Sequence, residues 1–297
     1  EISACLVGSE MCIRDRSMSI ELGKFNQLEV VKEVDFGLYL DGGDEGEILL
    51  PTRYVPEDCK VGDMLNVFLY LDIDERLIAT TLTPLVQVGQ FACLEVSWVN
   101  QFGAFLNWGL MKDLFVPFSE QKMKMQVGRS YVVHAHVDEE SYRIVASAKV
   151  ERYLSKDMPD YAPGAEVDIL IWQKTDLGFK AIIDNKYSGL LYENEIFRAL
   201  ETGMQMKAFV KQVREDGKVD LILQKPGQGK VEDFAATLLD YIREQGGHIT
   251  LHDKSPAEEI YDTFGVSKKT FKKAVGDLYK KHLVSLQENG IELAKKL

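Results

Sequence analysis

The sequence predicts a mainly β chain, with three tandem five-stranded barrels followed by a small C-terminal domain of helices and a hairpin. Two observations carry that expectation. One is a threefold repeat anchored on glycines, with short strand-like runs between the anchors. The other is a change of hydrophobic period from two to about three and a half after a Pro/Gly-rich linker. The length of 297 residues also favours several domains over one core.

The repeat is read from glycine spacing. Gly23, Gly89 and Gly164 each open an apolar run. Fourteen residues on stand Gly37, Gly103 and Gly178, and thirty-nine residues on stand Gly62, Gly128 and Gly203, without insertion in any copy. First strands are expected over Phe25–Val34, Phe91–Val99 and Val167–Gln173, which alternate or are rich in branched and aromatic residues. Second strands follow the middle glycine at Leu38–Asp41, Ala104–Asn107 and Phe179–Ile183. Met64–Leu71, Tyr131–Val137 and Gln205–Val213 follow the third anchor, and Leu77–Thr81, Arg143–Ser147 and Val219–Gln224 close the copies. About five strands per copy is what an OB-fold barrel needs.

The C-terminal elements follow Lys225-Pro-Gly-Gln-Gly229. Val231–Gln245 has helical spacing and stops at Gly246-Gly247. Ser255-Pro-Ala-Glu258 reads as a capping box opening a second helix that ends at Phe264-Gly265. Ser267 caps a third helix to about His282, and Leu283–Gln287, a turn at Glu288-Asn-Gly290 and Ile291–Leu293 read as a hairpin. Helix, turn, helix and hairpin together are the layout of an α/β winged-helix domain. The expected boundaries are 18–84, 85–150 and 151–228 for the barrels, the last divergent, and 229–297 for the winged helix. Residues 1–17 read as a non-native extension, with Met18 as the expected natural start.

Composition excludes some functions and leaves others. No apolar run is long enough for a membrane-spanning helix, so no membrane partner is expected. Cys5, Cys12, Cys59 and Cys93 form no C-x-x-C pair, which argues against a zinc site and fits a reducing, cytoplasmic setting. The net charge is −12, but residues 18–87 carry 5 basic and 14 acidic side chains and hold most of the excess. The remainder is near neutral, so local clustering decides whether phosphate is a plausible partner.

Around the anchors the copies resemble the S-one RNA-binding motif, an OB-fold variant. The resemblance rests in copy two on Phe102-Gly-Ala-Phe105, Leu114-Phe-Val-Pro117, Val127-Gly128 and Arg143-Ile144. Copy one matches through Phe36-Gly-Leu-Tyr39, Ile48-Leu-Leu-Pro51, Val61-Gly62-Asp63 and Arg76. Copy three matches through Leu177-Gly-Phe-Lys180, Gly189-Leu-Leu-Tyr192 and Gly203. The order of three such repeats and a winged helix resembles the conserved virulence factor B family of bacteria (YitL-like proteins). That resemblance implies cytoplasmic RNA binding in post-transcriptional control of gene expression.

Site residues follow from the motif and from charge. Phe102 and Phe105, brought to one surface by a bend at the glycine between them, would make a base-stacking platform beside Arg143. Phe36 and Tyr39 are the counterparts in copy one, where Asp41-Gly-Gly-Asp-Glu45 repels phosphate. In copy three Lys180, Tyr192 and Lys218 hold the corresponding places, Tyr192 where the family often has a contacting His. Copy two ranks first, copy three second and copy one last; the competing reading for every ring is barrel core. On the third C-terminal helix Phe271, Ala274, Val275 and Leu278 share one face, and Lys269, Lys272, Lys273 and Lys280 the opposite one. Between Val266 and His282 six lysines stand against Asp277 alone. Arg is absent there, which favours phosphate contact over bidentate base reading.

The expected partner is single-stranded RNA, with DNA or the ribosome as alternatives and no small-molecule substrate. No Walker loop, H-E-x-x-H or G-x-S-x-G occurs, so neither catalysis nor a cofactor is expected. His134 and His136 alternate on one strand, as ligands of a metal-dependent nuclease would, yet no third ligand is suggested. The main alternative is a DNA-binding transcription regulator that reads through its winged helix.

Overall fold

A computed structural model describes residues 20–196, 198–223, 232–287 and 290–294. The expectations for the first seventeen residues, for the linker at 225–229 and for the turn at 288–289 lie outside the described residues. The described chain falls into two compact units, one holding the first two barrels and the other the third barrel and the C-terminal domain.

Barrel one comprises β1 (Phe25–Val34), β2 (Gly37–Asp41), β3 (Glu47–Pro51), β4 (Met64–Leu71) and β5 (Leu77–Thr80). Barrel two comprises β6 (Phe91–Val99), β7 (Gly103–Leu106), β8 (Leu114–Pro117), β9 (Ser130–Val137) and β10 (Ile144–Ser147). Barrel three comprises β11 (Glu166–Thr175), β12 (Gly178–Ile183), β13 (Tyr187–Tyr192), β14 (Gln205–Val213) and β15 (Val219–Ile222). All three close in the order first-second-third-fifth-fourth, with third and fifth strands parallel. These are OB-type barrels, as predicted. Alternation fills the cores: Leu28, Val30, Leu40, Val67 and Leu69 are buried in barrel one, and Leu94, Val96, Leu106, Val116 and Val133 in barrel two.

The glycine repeat has a steric cause. A Cβ at Gly37, Gly103 or Gly178 would lie 2.0–2.2 Å from a carbonyl oxygen of the next strand (that of Leu50, Val116 or Leu191). No side chain fits there, because the second strand crosses the third at contact distance. The outer anchors serve turns: Gly89 and Gly128 take φ of +89° and +76°, open to glycine at no steric cost. The irregularity expected at the middle glycine lies instead in the facing strand. Register shifts between Val30 and Lys32, between Val96 and Trp98, and between Ile171 and Gln173 put a bulge at the same place in every copy.

His134 on β9 is buried against the Phe91 ring, 4.7 Å between centroids, and stacks with His136 at 6.1 Å. Burial first, and the neighbouring His136 second, lower its pKa to about 4 from 6.5. The unfolded chain therefore takes up the proton first as pH falls. The fold's stability is unaffected by this group above 6.5 and declines through the window down to about 4. The thermal midpoint should fall over that window, and should fall less in His134→Gln. Among the described residues no group of three or more His, Cys, Asp or Glu side chains gathers as a metal site.

The C-terminal domain has α1 (Glu232–Glu244), β16 (His248–Ile249), α2 (Ala257–Phe264), α3 (Lys268–Lys280), β17 (Val284–Gln287) and β18 (Gly290–Leu293). Its sheet runs β16-β18-β17. α2 ends on Gly265 at φ +66°, and Ser267 caps α3 by accepting from the Thr270 amide at 3.2 Å. The capping box expected at Ser255 does not form. Its hydroxyl accepts from the His252 amide at 3.1 Å, and Pro256 occupies the cap. Phe234, Leu238, Ile242, Ile260, Phe271, Val275, Leu278 and Ile291 form the core, so the predicted apolar face of α3 is the buried one. This is a winged-helix domain. No helix among the described residues is long and apolar enough to cross a membrane.

Candidate nucleic-acid interface

The cross-strand pair formed just after each bulge decides what each barrel presents. The pairs are Lys32–Tyr39, Trp98–Phe105 and Gln173–Lys180. In barrel two both members are aromatic, and the rings lie parallel with centroids 3.7 Å apart. Phe115 on β8 packs on the other side of Phe105, at 4.9 Å. Phe102 stands in the preceding turn, 62% exposed. The Asn100 side chain builds that turn by accepting from the amides of Phe102 at 2.8 Å and Gly103 at 3.2 Å.

These rings line a cavity of about 730 Å³, which also contains Arg143. The three residues picked for copy two, Phe102, Phe105 and Arg143, are therefore brought together. Rings exposed at a concave site, with a cation beside them, suit a stacked base and its phosphate. Trp98, 45% exposed in the same wall, was not picked from the sequence. Its indole donates to Asp113 at 3.1 Å, which holds the ring in place. The signal was available: Trp98 occupies the slot after the bulge that Lys32 and Gln173 fill in the other copies.

In barrel one Phe36 is exposed and meets Tyr39 edge-on at 6.3 Å, with the Lys32 ammonium 5.6 Å from the Tyr39 ring. Arg76 is held by Asp72 at 3.0 Å and Asp74 at 2.8 Å. The aromatic pair is present, but its cation is already neutralised within the barrel.

Barrel three uses the same slots differently. Leu177, exposed, stands where Phe102 does. Lys180 lies 5.1 Å from the Trp172 ring and pairs with Glu151 at 3.2 Å. The residue opposite Lys180 is Leu190, as Phe115 is opposite Phe105, whereas Tyr192 pairs with Gly178 two residues further along. The Tyr192 hydroxyl is hydrogen-bonded by Arg214 and lies 3.3 Å from Asp220. Asp220, buried, also takes an ion pair from Arg214 at 2.6 Å and a hydrogen bond from Gln212 at 2.6 Å. Lys218 is exposed and pairs with Asp216 at 3.1 Å. Here a polar network replaces the rings.

On α3, Lys269, Lys272, Lys273 and Lys280 are all exposed, and among the described residues none makes an ion pair. Lys281 pairs with Asp277 at 2.8 Å, and the Lys268 ammonium donates to the Lys254 carbonyl at 3.3 Å. Four free ammonium groups on one face make a local positive field despite the acidic chain.

Fold and site together define a protein of tandem S1-type barrels with a winged helix, both of them nucleic-acid-binding types of domain. Residues 22–82 match the family described as the S1 domain, and residues 236–293 match the CvfB-like winged helix domain. The S1 match falls on copy one; copies two and three share its strand order and glycine register. The uncharacterized protein YitL of Bacillus subtilis is 29% identical, over 94% of this chain and 95% of its own. Conserved virulence factor B of Staphylococcus aureus is 24% identical, over 93% and 95% respectively. The resemblance to the conserved virulence factor B family therefore extends from both matched domains through most of the chain. A crystal structure from Streptococcus pneumoniae, of a multidomain protein with nucleic acid binding domains, is 26% identical. It covers 92% of this chain and 98% of that one, with a TM-score of 0.42.

Proposed function

We propose that the protein binds single-stranded RNA and acts in bacterial post-transcriptional control of gene expression, in the cytoplasm. The observation that carries this reading is the aromatic cleft of barrel two, where Phe102, Trp98 and Phe105 line one cavity with Arg143. Stacking on rings needs unstacked bases, which single strands offer and duplexes do not. The α3 lysines add phosphate contacts without base reading. Lys180, Tyr192 and Lys218 of barrel three, and Phe36 and Tyr39 of barrel one, are the lesser contacts.

The lysine face of α3 favours one further reading, a transcription regulator docking that helix on duplex DNA. Fluorescence anisotropy of the full chain with a single-stranded RNA and a duplex DNA, over a salt series, separates the two. The proposal predicts tighter binding to RNA, with log K falling linearly with log salt. Tighter binding to the duplex, lost when Lys269, Lys272 and Lys273 become Gln, would assign the protein to DNA instead.

A further inference from the structure

The cleft of barrel two is not made by barrel two alone. Tyr70, Leu71, Ile73 and Glu75 of barrel one complete its wall. They belong to the end of β4 and the β4–β5 turn, and the Phe36–Tyr39 pair does not line this cleft. The joint that holds them there is specific. Phe68 meets Trp108 edge-on at 5.7 Å, and the Trp108 carbonyl accepts from the Leu85 amide at 2.7 Å. The Lys112 ammonium, its pKa lowered by burial, donates to the Asp72 carbonyl at 2.7 Å.

The turn itself is shaped to present two side chains. Asp72 accepts from the Arg76 amide at 2.9 Å, and Glu75 takes φ of +64°, a left-handed conformation that costs a non-glycine residue energy. Ile73 is left 84% exposed at the rim, although large aliphatic side chains are ordinarily buried. Glu75 reaches across the cleft and pairs with Arg143, the cation of the platform. Both partners are about half exposed, at 52% and 47%, so the pair is readily exchanged.

We propose that the β4–β5 turn of barrel one is a working part of the RNA site. Ile73 covers a nucleotide stacked on Phe102 and Trp98, and the Glu75 carboxylate is a resident anion that an RNA phosphate displaces from Arg143. This rests on the reading of the cleft as an RNA platform. It makes the tandem pair of barrels the binding unit, and it gives the acid-rich first barrel a task that does not depend on its own Phe36–Tyr39 pair.

The test is the affinity of the full chain for a single-stranded RNA oligonucleotide, by anisotropy, in Glu75→Gln, Ile73→Ser and the control Glu45→Gln. Glu45 is exposed in barrel one and does not line the cleft. Glu75→Gln should tighten binding up to about 5-fold. It should also steepen the salt slope by about 0.7, because one more phosphate contact is no longer offset within the protein. Ile73→Ser should weaken binding roughly 5-fold with an unchanged unfolding midpoint. Three results would overturn the proposal: Glu75→Gln unchanged or weaker, Ile73→Ser without effect, or Glu45→Gln matching Glu75→Gln. Phe102→Ala reports separately on the platform. If that variant binds RNA like the parent, the underlying reading fails and not only this extension of it.

Discussion

Phe102→Ala should weaken binding of single-stranded RNA by roughly 1–3 kcal/mol while leaving the fold intact. The ring stands in a turn built by Asn100 and is mostly exposed, so its removal opens no cavity in the barrel core. Its loss takes away a stacking surface beside Trp98 and Arg143. Equilibrium binding measured beside a denaturation curve separates the two effects, because only affinity should change. The same substitution at Phe105 is less clean. That ring is sandwiched between Trp98 and Phe115, so its removal would disturb packing as well as binding.

Phe271→Ala should destabilise the winged helix by about 3–5 kcal/mol. The side chain is fully buried and packs against both Phe264, at 5.7 Å, and Phe234, at 6.2 Å. α3 spans one short segment, and isolated helices of that length are marginal in water, so its order depends on this buried face. A domain of this size rests on one core, and the loss is large beside the 5–15 kcal/mol of a typical domain. Chemical denaturation should show the C-terminal domain unfolding at lower denaturant. At denaturant concentrations between the two midpoints, RNA binding by the variant should lose the part of its salt dependence that the α3 lysines supply. An unchanged unfolding profile would mean that Phe271 does not hold the domain together.

Much of the architecture was legible because its causes are local. The middle glycines are needed where one strand crosses the next at contact distance, so they recur at fixed spacing and mark every copy. Strands such as Phe25–Val34, Met64–Leu71 and Gln205–Val213 were readable to their ends, since apolar alternation or an unbroken apolar run, together with bounding turns, shows in the residues. β16 was not read, because two residues carry no period and pair only once the wing has folded. Ser255 had the spacing of a cap, but a neighbouring turn took its hydroxyl.

The site was half legible for the same reason. Phe102, Phe105 and Arg143 belong to a motif within one barrel, so its spacing could name them as candidates that share one cavity. Trp98 needed the bulge to be placed before its slot became visible. Ile73 and Glu75 reach the cleft only through the packing of one barrel on another, which no spacing in the sequence records.

Trp98 offers the most direct test of the central claim. Of the three tryptophans in the chain, Trp98 and Trp108 both line the cleft, but Trp108 and Trp172 are buried and only Trp98 is partly exposed to what enters it. Titrating the full chain with single-stranded RNA while following tryptophan emission reports on bases reaching that wall. Stacked bases on the platform predict saturable quenching that disappears in Trp98→Phe and tracks the anisotropy isotherm. RNA that binds by anisotropy while Trp98 emission stays constant would place it elsewhere on the molecule and contradict the platform.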